Sequence, residues 1–184
     1  MRRYKQCGKL RFLSIKIPKI AAKSSADIEV TDHIQDMKQN IQLMNQVYKN
    51  LYALYDPSFS ARYFGQEYVS LELFIEKEAI RYIMAVTEHF VDNVEKVISS
   101  FYPGSVIETT DQPKLLDAGK YVSGGEIVLA KKSLYPLKTY ESFEADPMDS
   151  LLSSYSKVDT EEKMCLQIMI APLPSSMHQE MRGA

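Results

Sequence analysis

The amino-acid sequence predicts an α+β fold: a ferredoxin-like (split βαβ) antiparallel sheet with helices on one face, plus a long N-terminal amphipathic helix. Strand-like alternation of apolar and polar residues recurs in several short segments, helical periodicity occupies the intervals, and turn residues separate the two. From residue 68 the segments follow the order β-β-α-β-β-α-β, and the last six have the ferredoxin-like order. Many unrelated functions use this architecture, so it does not indicate one by itself.

The start of the chain is strongly basic. Residues 1–26 contain eight basic residues and no acid, whereas the remainder contains 14 basic and 24 acidic residues. We predict that residues 1–30 are a basic arm with one short strand at RFLSIKIP (11–18). A basic arm on an acidic body favours an anionic partner, either a membrane surface or a nucleic acid, although a solvated tail is an alternative. The predicted contact residues are Arg2, Arg3, Lys5, Lys9, Lys19 and Lys23.

The second segment, residues 31–56, is predicted to be an amphipathic helix. Its apolar residues recur with spacings of three and four, and Asp56 and Pro57 end the pattern. One interpretation is a helix that faces the core and lies on the sheet. The other is a seam against another chain, possible also between two copies of this one, formed by Ile41, Met44, Tyr48, Leu51 and Tyr55. The protein has 12 tyrosines and no tryptophan, and clustered tyrosines suit protein interfaces as well as the rim of a small core.

Residues 66–173 are predicted to form an α/β domain, and residues 174–184 a disordered tail. The clearest element is a β-hairpin from 68 to 87, because two alternating segments flank a short polar reversal. The remaining elements are a helix at 88–102, strands at 105–110 and 126–132, a helix at 148–156 and a strand at 164–170.

The sequence contains no motif for a catalytic, metal or cofactor site. Neither Gly-Lys pair has the G-x-x-x-x-G-K-[ST] context in which backbone N–H groups and a lysine bind phosphate. None of the three histidines has a second ligand at metal-binding spacing, and Cys165 lies inside an alternating apolar segment. We therefore predict that the chain is not an enzyme and needs no cofactor.

Two isolated cysteines indicate a reducing compartment, and no apolar stretch is long enough to span a membrane. We predict a cytoplasmic location, with the basic arm allowing placement at the cytoplasmic face of the membrane.

Several segments resemble a known bacterial family when they are taken in order. They are LRFLSIKIPK (10–19), MNQVYKNLYALY (44–55), YVSLELFI (68–75), VDNVEKVISSFYPGSVIE (91–108), LYPLKTYESFEADPMDSLLSSYSKV (134–158) and LQIMIAPL (166–173). The chain is similar over residues 10–173 to a domain of unknown function that lies upstream of the motor domain in membrane-associated ATPases of type IV secretion and conjugative DNA transfer.

The resemblance implies a non-catalytic accessory or assembly module whose partner is the ATPase motor. No position matches the ATPase motifs, so the expectation is a fragment that lacks the motor, or a chain whose motor is a separate protein. The alternative is a free-standing nucleic-acid-binding protein that uses the basic arm.

Overall fold

The computed structural model of the chain describes residues 10–18, 30–59, 61, 66–76, 79–116, 121–130, 139–155, 159 and 161–172. These residues form one open antiparallel sheet of five strands, accompanied by α-helices, so the predicted α+β class is confirmed. The strands are β1 (Leu10–Lys16), β2 (Val69–Glu76), β3 (Ala79–Thr87), β4 (Val106–Thr110) and β5 (Lys163–Ile170). The α-helices are α1 (Val30–Leu51), α2 (Val91–Phe101) and α3 (Pro147–Tyr155), with short 3-10 turns at Tyr52–Leu54, Glu88–Phe90 and Tyr140–Ser142.

The predicted hairpin is confirmed as the pair of β2 and β3. Leu71 lies opposite Met84, and Ile75 lies opposite Ile80. Successive strand residues point to opposite faces, so these apolar pairs share one face of the sheet. The alternation in the sequence therefore predicted the hairpin but not its burial, because Ser70, Phe74, Ile83 and Ala85 are buried on the opposite face.

The strand predicted inside the basic arm is confirmed as β1, and it lies near the middle of the sheet. The strand order is β4-β1-β3-β2-β5, so β1 pairs with β3 on one side and with β4 on the other. Leu13 lies opposite both Met84 and Thr109. Residues 10–16 are thus part of the same sheet as the strands from the predicted α/β domain.

The main core lies between the sheet and the helices α1 and α2. The amphipathic faces of the two helices contact each other and cover the middle of the sheet. The buried residues of this core are Leu13, Val47, Leu51, Leu54, Val69, Met84, Val86, Val94 and Ile98.

A second, smaller core lies under α3. Tyr155 of α3 is buried against Leu73 and Ile75 of β2, and Leu166 of β5 packs at its margin. Val69 of the main core and Leu73 are separated by an even number of positions on β2, so they lie on the same face. The helices therefore share one face of the sheet, as the sequence predicted.

One predicted strand is wrong. Residues 126–132 were expected to form a strand, but the described residues 121–130 belong to neither strand nor helix. A strand needs a hydrogen-bonding neighbour, and an apolar pattern with β-branched residues does not supply one. The predicted assignment of the ferredoxin-like order, which counted this segment as a strand, therefore does not describe the observed elements. The helices predicted at 88–102 and 148–156 and the strands predicted at 105–110 and 164–170 are confirmed with shifts of one to three residues at their ends.

Candidate functional site

A network of polar side chains lies on the sheet face opposite the helices. Glu72 accepts hydrogen bonds at Oε1 from Ser70 Oγ (3.1 Å) and from Gln167 Nε2 (3.0 Å). At the far end of β2, Glu76 lies 3.0 Å from the Arg81 guanidinium and 3.4 Å from Lys163 Nζ. Both carboxylates are occupied by hydrogen bonds or ion pairs between neighbouring strands, so they stabilise the pairing of β2 with β3 and β5.

Cys165 lies on the same face, directly opposite Phe74. Burial raises the pKa of its thiol, and the negative charge of Glu72 raises that pKa further. A nucleophilic cysteine needs a lowered pKa from a nearby positive charge or a helix N-terminus. The environment of Cys165 therefore keeps the thiol protonated at neutral pH, which fits the interpretation of Cys165 as a sheet residue.

A second polar cluster joins the end of β3 to the start of α2. The Thr87 hydroxyl donates a hydrogen bond to Glu67, and the other carboxylate oxygen of Glu67 lies 3.2 Å from Nε2 of His89. A hydroxyl, a carboxylate and an imidazole are the parts of a catalytic triad, but a triad needs the imidazole between the other two. Here the carboxylate is in the middle, so His89 does not contact the hydroxyl and cannot accept its proton. The cluster instead fixes the turn from β3 into α2.

No group of three or more metal-binding side chains occurs within the described ranges. The predicted membrane or nucleic-acid contacts lie outside those ranges: Arg2, Arg3, Lys5, Lys9, Lys19 and Lys23. Two other basic residues of the same stretch are tied to the fold, because Arg11 contacts Glu88 at 2.5 Å and Lys16 contacts Glu108 at 2.9 Å.

The predicted seam on α1 divides into a buried part and an exposed part. Leu51 is buried in the main core, and Met44 packs against that core. Ile41 and Tyr55 are partly buried, whereas Tyr48 is exposed. The core-facing interpretation accounts for Met44 and Leu51, and a contact of the other three residues with a second protein stays a prediction. The sequence analysis missed Val47, which has no exposed surface.

The tyrosines at the end of α1 form a small aromatic surface. The rings of Tyr52 and Tyr55 are stacked, with centroids 5.6 Å apart. Tyr102 reaches across from the end of α2, and its hydroxyl donates a hydrogen bond to the Asn40 carbonyl (3.4 Å). Burial raises the pKa of both Tyr48 and Tyr102. Only part of this aromatic cluster is exposed, so it offers a limited area for a partner.

The longest run of exposed residues in the described ranges is 121–130, which we call the exposed segment and which includes the apolar residues Tyr121, Val122, Ile127, Val128 and Leu129. Every one of these ten residues is exposed, and none of them pairs with a strand in the structure. Ile127 is 88% exposed and Val128 is 71% exposed, and Tyr121 is fully exposed. A Cβ atom added at Gly124 or Gly125 would meet no atom within 4 Å. The exposed segment therefore stands away from the rest of the described chain.

A second unsatisfied feature is the outer side of β5, which we call the β5 edge. Within the part of the chain that the structure describes, strand β5 pairs with β2 on one side and with no strand on the other. Ile168 and Met169 are 52% and 58% exposed, and because they are adjacent they lie on opposite faces of the sheet. An edge strand presents a row of unpaired N–H and C=O groups, and proteins normally protect such edges with charges, prolines or covering elements. Strand β5 contains no proline, and its one charged residue is Lys163 at the first position.

Within the part of the chain that the structure describes, no helix is both long enough and apolar enough to cross a membrane. Comparison with protein-family models gave one match, to a model described as "Domain of unknown function (DUF8128)", over residues 20–183. No curated protein and no solved structure matched the chain.

Proposed function

Because the chain belongs to the family of unknown function DUF8128, whose model matches residues 20–183, we propose its function from the molecule itself: it is a non-catalytic assembly module that acts by binding another protein. The observation that carries the proposal is the exposed segment, residues 121–130, where apolar side chains have no packing partner in the described chain. Large exposed apolar surfaces on a folded domain are typical of interaction sites.

The chemistry of the described polar residues supports a role without catalysis. Glu72 and Glu76 are engaged between neighbouring strands, and the pKa of Cys165 is raised, not lowered. Glu67 lies between Thr87 and His89 in an order that does not activate a nucleophile. Each of these groups has a structural use that explains its position.

We also propose that the first four strands form a variant of the ferredoxin-like (split βαβ) arrangement. Its support is the order β1-α1-β2-β3-α2-β4 along the chain, with the spatial order β4-β1-β3-β2 and antiparallel neighbours. In this proposal β1, and not the exposed segment, supplies one of the strands, and β5 extends the sheet beyond β2. An experimental structure in which helix α1 crosses from β1 to β2 on the other face of the sheet would contradict it.

The proposed partner is the motor of a type IV secretion-like, membrane-associated ATPase, on a separate protein or on the same polypeptide. This part of the proposal rests on the segments at residues 10–19, 44–55, 68–75, 91–108, 134–158 and 166–173, which resemble the domain upstream of such motors. The proposed place of action is the cytoplasm, at the inner face of the membrane where such motors work.

Site-specific photo-crosslinking in the native host tests the proposal. A photoreactive phenylalanine analogue replaces Ile127 in the exposed segment, and the matched control carries it at Lys96, an exposed residue on α2. We expect a crosslinked protein at position 127 that is absent at position 96. Tryptic peptides from a P-loop ATPase would support the assignment to a secretion motor, and peptides of this chain would identify a second copy. Identical products at the two positions would contradict the binding role, and a partner that is neither of these would contradict the assignment to a secretion motor.

The basic arm supports a second candidate function, which is binding of nucleic acid. Within it, residues 1–26 contain eight basic residues and no acid, and this charge would attract DNA or an anionic membrane with similar dependence on salt. Binding of duplex DNA and of vesicles containing anionic lipid should be compared at physiological salt for the wild type and a deletion of residues 1–9. Tighter binding to DNA, lost on deletion, would favour this alternative, and binding to neither would leave the arm as a solvated tail.

A further inference from the structure

The exposed segment has the composition of a β-strand. Residues 126–130 read EIVLA, with Ile127 and Leu129 on one side of an extended chain and Val128 on the other. Ile127, Val128 and Leu129 are all more than half exposed, so neither side is packed in the described chain. An apolar, β-prone segment of this kind gains both hydrogen bonds and burial when it joins a sheet edge.

The β5 edge is the better of the two sheet edges for accepting such a strand. The other edge, β4, has five residues, and its Glu108 forms an ion pair with Lys16 of the adjacent strand. Strand β5 has eight residues and exposes Met164, Ile168 and Met169. The charged residue of β5, Lys163, lies at its first position and forms an ion pair with Glu76 of β2, whereas Glu108 lies in the middle of β4. Strand pairing proceeds more readily along the longer, more apolar edge.

Charge determines the direction in which the two would pair. Strand β5 begins directly after Glu161 and Glu162, and the strand-like residues 126–130 begin with Glu126. A parallel arrangement would place Glu126 beside those two carboxylates. An antiparallel arrangement separates them, and it directs the basic continuation of the sequence, Lys131 and Lys132, towards the acidic start of β5. The two halves are therefore complementary in charge as well as in apolar character.

We infer that residues 126–130 of one copy add as an antiparallel strand to the β5 edge of a second copy of this chain. The inference rests on the proposed assembly role and names one occupant of the exposed segment, another copy of the same protein; the proposed ATPase motor would then contact the resulting dimer. Each copy carries both the exposed segment and the β5 edge. Two copies could therefore exchange segments reciprocally, so that both segments and both β5 edges are paired in one two-fold symmetric dimer.

Cysteine crosslinking of the purified full chain tests this arrangement, because Cys165 already lies in the middle of β5. In a background with Cys7→Ser, a single cysteine is introduced in turn at positions 126, 127, 128, 129 and 130, and the protein is oxidised. Cys165 lies on the face opposite the helices, and side chains of an added strand alternate between faces. We expect disulfide-linked dimers at one parity of positions, with Glu126→Cys, Val128→Cys and Ala130→Cys favoured, since Ile127 and Leu129 then cover the exposed apolar residues of the helix-bearing face.

The control is the same series with Cys165→Ser, which should abolish the dimers. Dimers that persist in it would come from disulfides between two introduced cysteines and not from a link to β5. Dimers of equal yield at all five positions would overturn the inference, since they would show contact without strand pairing. A disulfide formed within one chain would also overturn it, because the segment would then pair with its own β5.

The oligomeric state separates this inference from the proposed function. Sedimentation of the wild type should reveal a monomer–dimer equilibrium, and Ile127→Lys combined with Leu129→Lys should leave only monomer with an unchanged circular dichroism spectrum. If the wild type stays monomeric up to ~100 μM, an affinity too weak for a specific dimer, the inference fails. A different protein crosslinked at position 127 would then still support the proposed function.

Discussion

Leu13 of β1 lies directly opposite Met84 of β3, and both side chains are buried. This pair joins the strand nearest the N-terminus to the hairpin, which follows it by more than fifty residues in the sequence. The stability of the sheet should therefore depend on a residue that belongs, by composition, to the basic start of the chain.

Leu13→Ala is expected to lower the free energy of unfolding by about 3 kcal/mol, because it removes buried methyl groups and leaves a cavity between the sheet and the helices. Urea unfolding followed by circular dichroism measures the loss. Ile17→Ala is the matched control, since Ile17 follows the same strand and is 52% exposed. A loss below about 1 kcal/mol for Leu13→Ala would mean that β1 is not an integral part of the sheet.

The way α1 packs gives a second prediction. Val47 has no exposed surface, whereas its neighbour Leu43, one helical turn earlier, is 37% exposed. Val47→Ala should cost about 1–2 kcal/mol through lost burial and an added cavity, and Leu43→Ala should cost clearly less. The comparison is made by urea unfolding of the two variants at one protein concentration. Equal losses would indicate that α1 does not dock on the core through Val47.

The turn from β3 into α2 gives a third prediction. Thr87 is buried, and its hydroxyl donates to Glu67, so Glu67→Ala leaves that hydroxyl without this acceptor. The expected cost is about 1–3 kcal/mol. Thr87→Val removes the hydroxyl while keeping the shape of the side chain, so Glu67→Ala should cost less in that background. Additive losses in the four-variant comparison would exclude the coupling.

Arg11→Ala, which breaks an exposed ion pair with Glu88, is expected to cost no more than about 1 kcal/mol.

The raised pKa of Cys165 predicts a loss of stability in alkaline solution. Burial, followed by the charge of Glu72, raises the folded-state pKa above the ordinary thiol value of 9.0. The unfolded chain then releases the thiol proton at a lower pH than the folded chain. The contribution of the thiol to the free energy of unfolding is therefore fully present below pH 9.0, and it declines as pH rises from 9.0 through the higher folded-state pKa. Tyr48 and Tyr102, whose pKa values are raised from 10.0, should add a further decline above pH 10.0.

Urea midpoints measured between pH 8 and 11 test this sign. The decline that begins at pH 9.0 should be absent in Cys165→Ala, while the decline above pH 10.0 should remain. A midpoint for the wild type that rises between those two values would contradict the direction of the thiol shift.

The sequence predicted most elements from local signals, but it did not predict which strands pair over long distances in the sequence. The hairpin of β2 and β3 was predictable because the alternation and the reversal lie within twenty consecutive residues. The place of β1 between β3 and β4 was not, because strand neighbours far apart in the sequence leave no local trace. On α1, a spacing of three and four residues fits Tyr48 as well as Val47, and only packing against the sheet distinguishes them.

The candidate site was missed for the same reason. Residues 126–132 have the apolar, β-branched character of a strand and were predicted to be one, yet the described residues 121–130 remain unpaired. The apolar, β-branched composition indicated a strand at residues 126–132, but it could not indicate a pairing partner, because strand formation requires an available sheet edge. No local signal states whether that edge lies in the same chain or in another.

The exposed segment gives the last prediction. Ile127 and Leu129 are 88% and 54% exposed, so replacing both with aspartate removes little burial within the described chain. The unfolding free energy at low protein concentration should therefore change by less than about 0.5 kcal/mol, as for ordinary surface substitutions. At high concentration the same variant should lose any association that the wild type has, because two charges cannot be buried at an apolar edge without partners.

Val106→Asp is the matched control on β4. Val106 is 49% exposed at the other edge of the sheet, so this substitution should leave association intact. Analytical ultracentrifugation across a concentration series measures association, and urea unfolding measures stability. A loss of stability above about 1 kcal/mol in the Ile127 and Leu129 variant would show that the segment packs on its own core, whereas equal association of the two variants would show that neither residue lies in the contact.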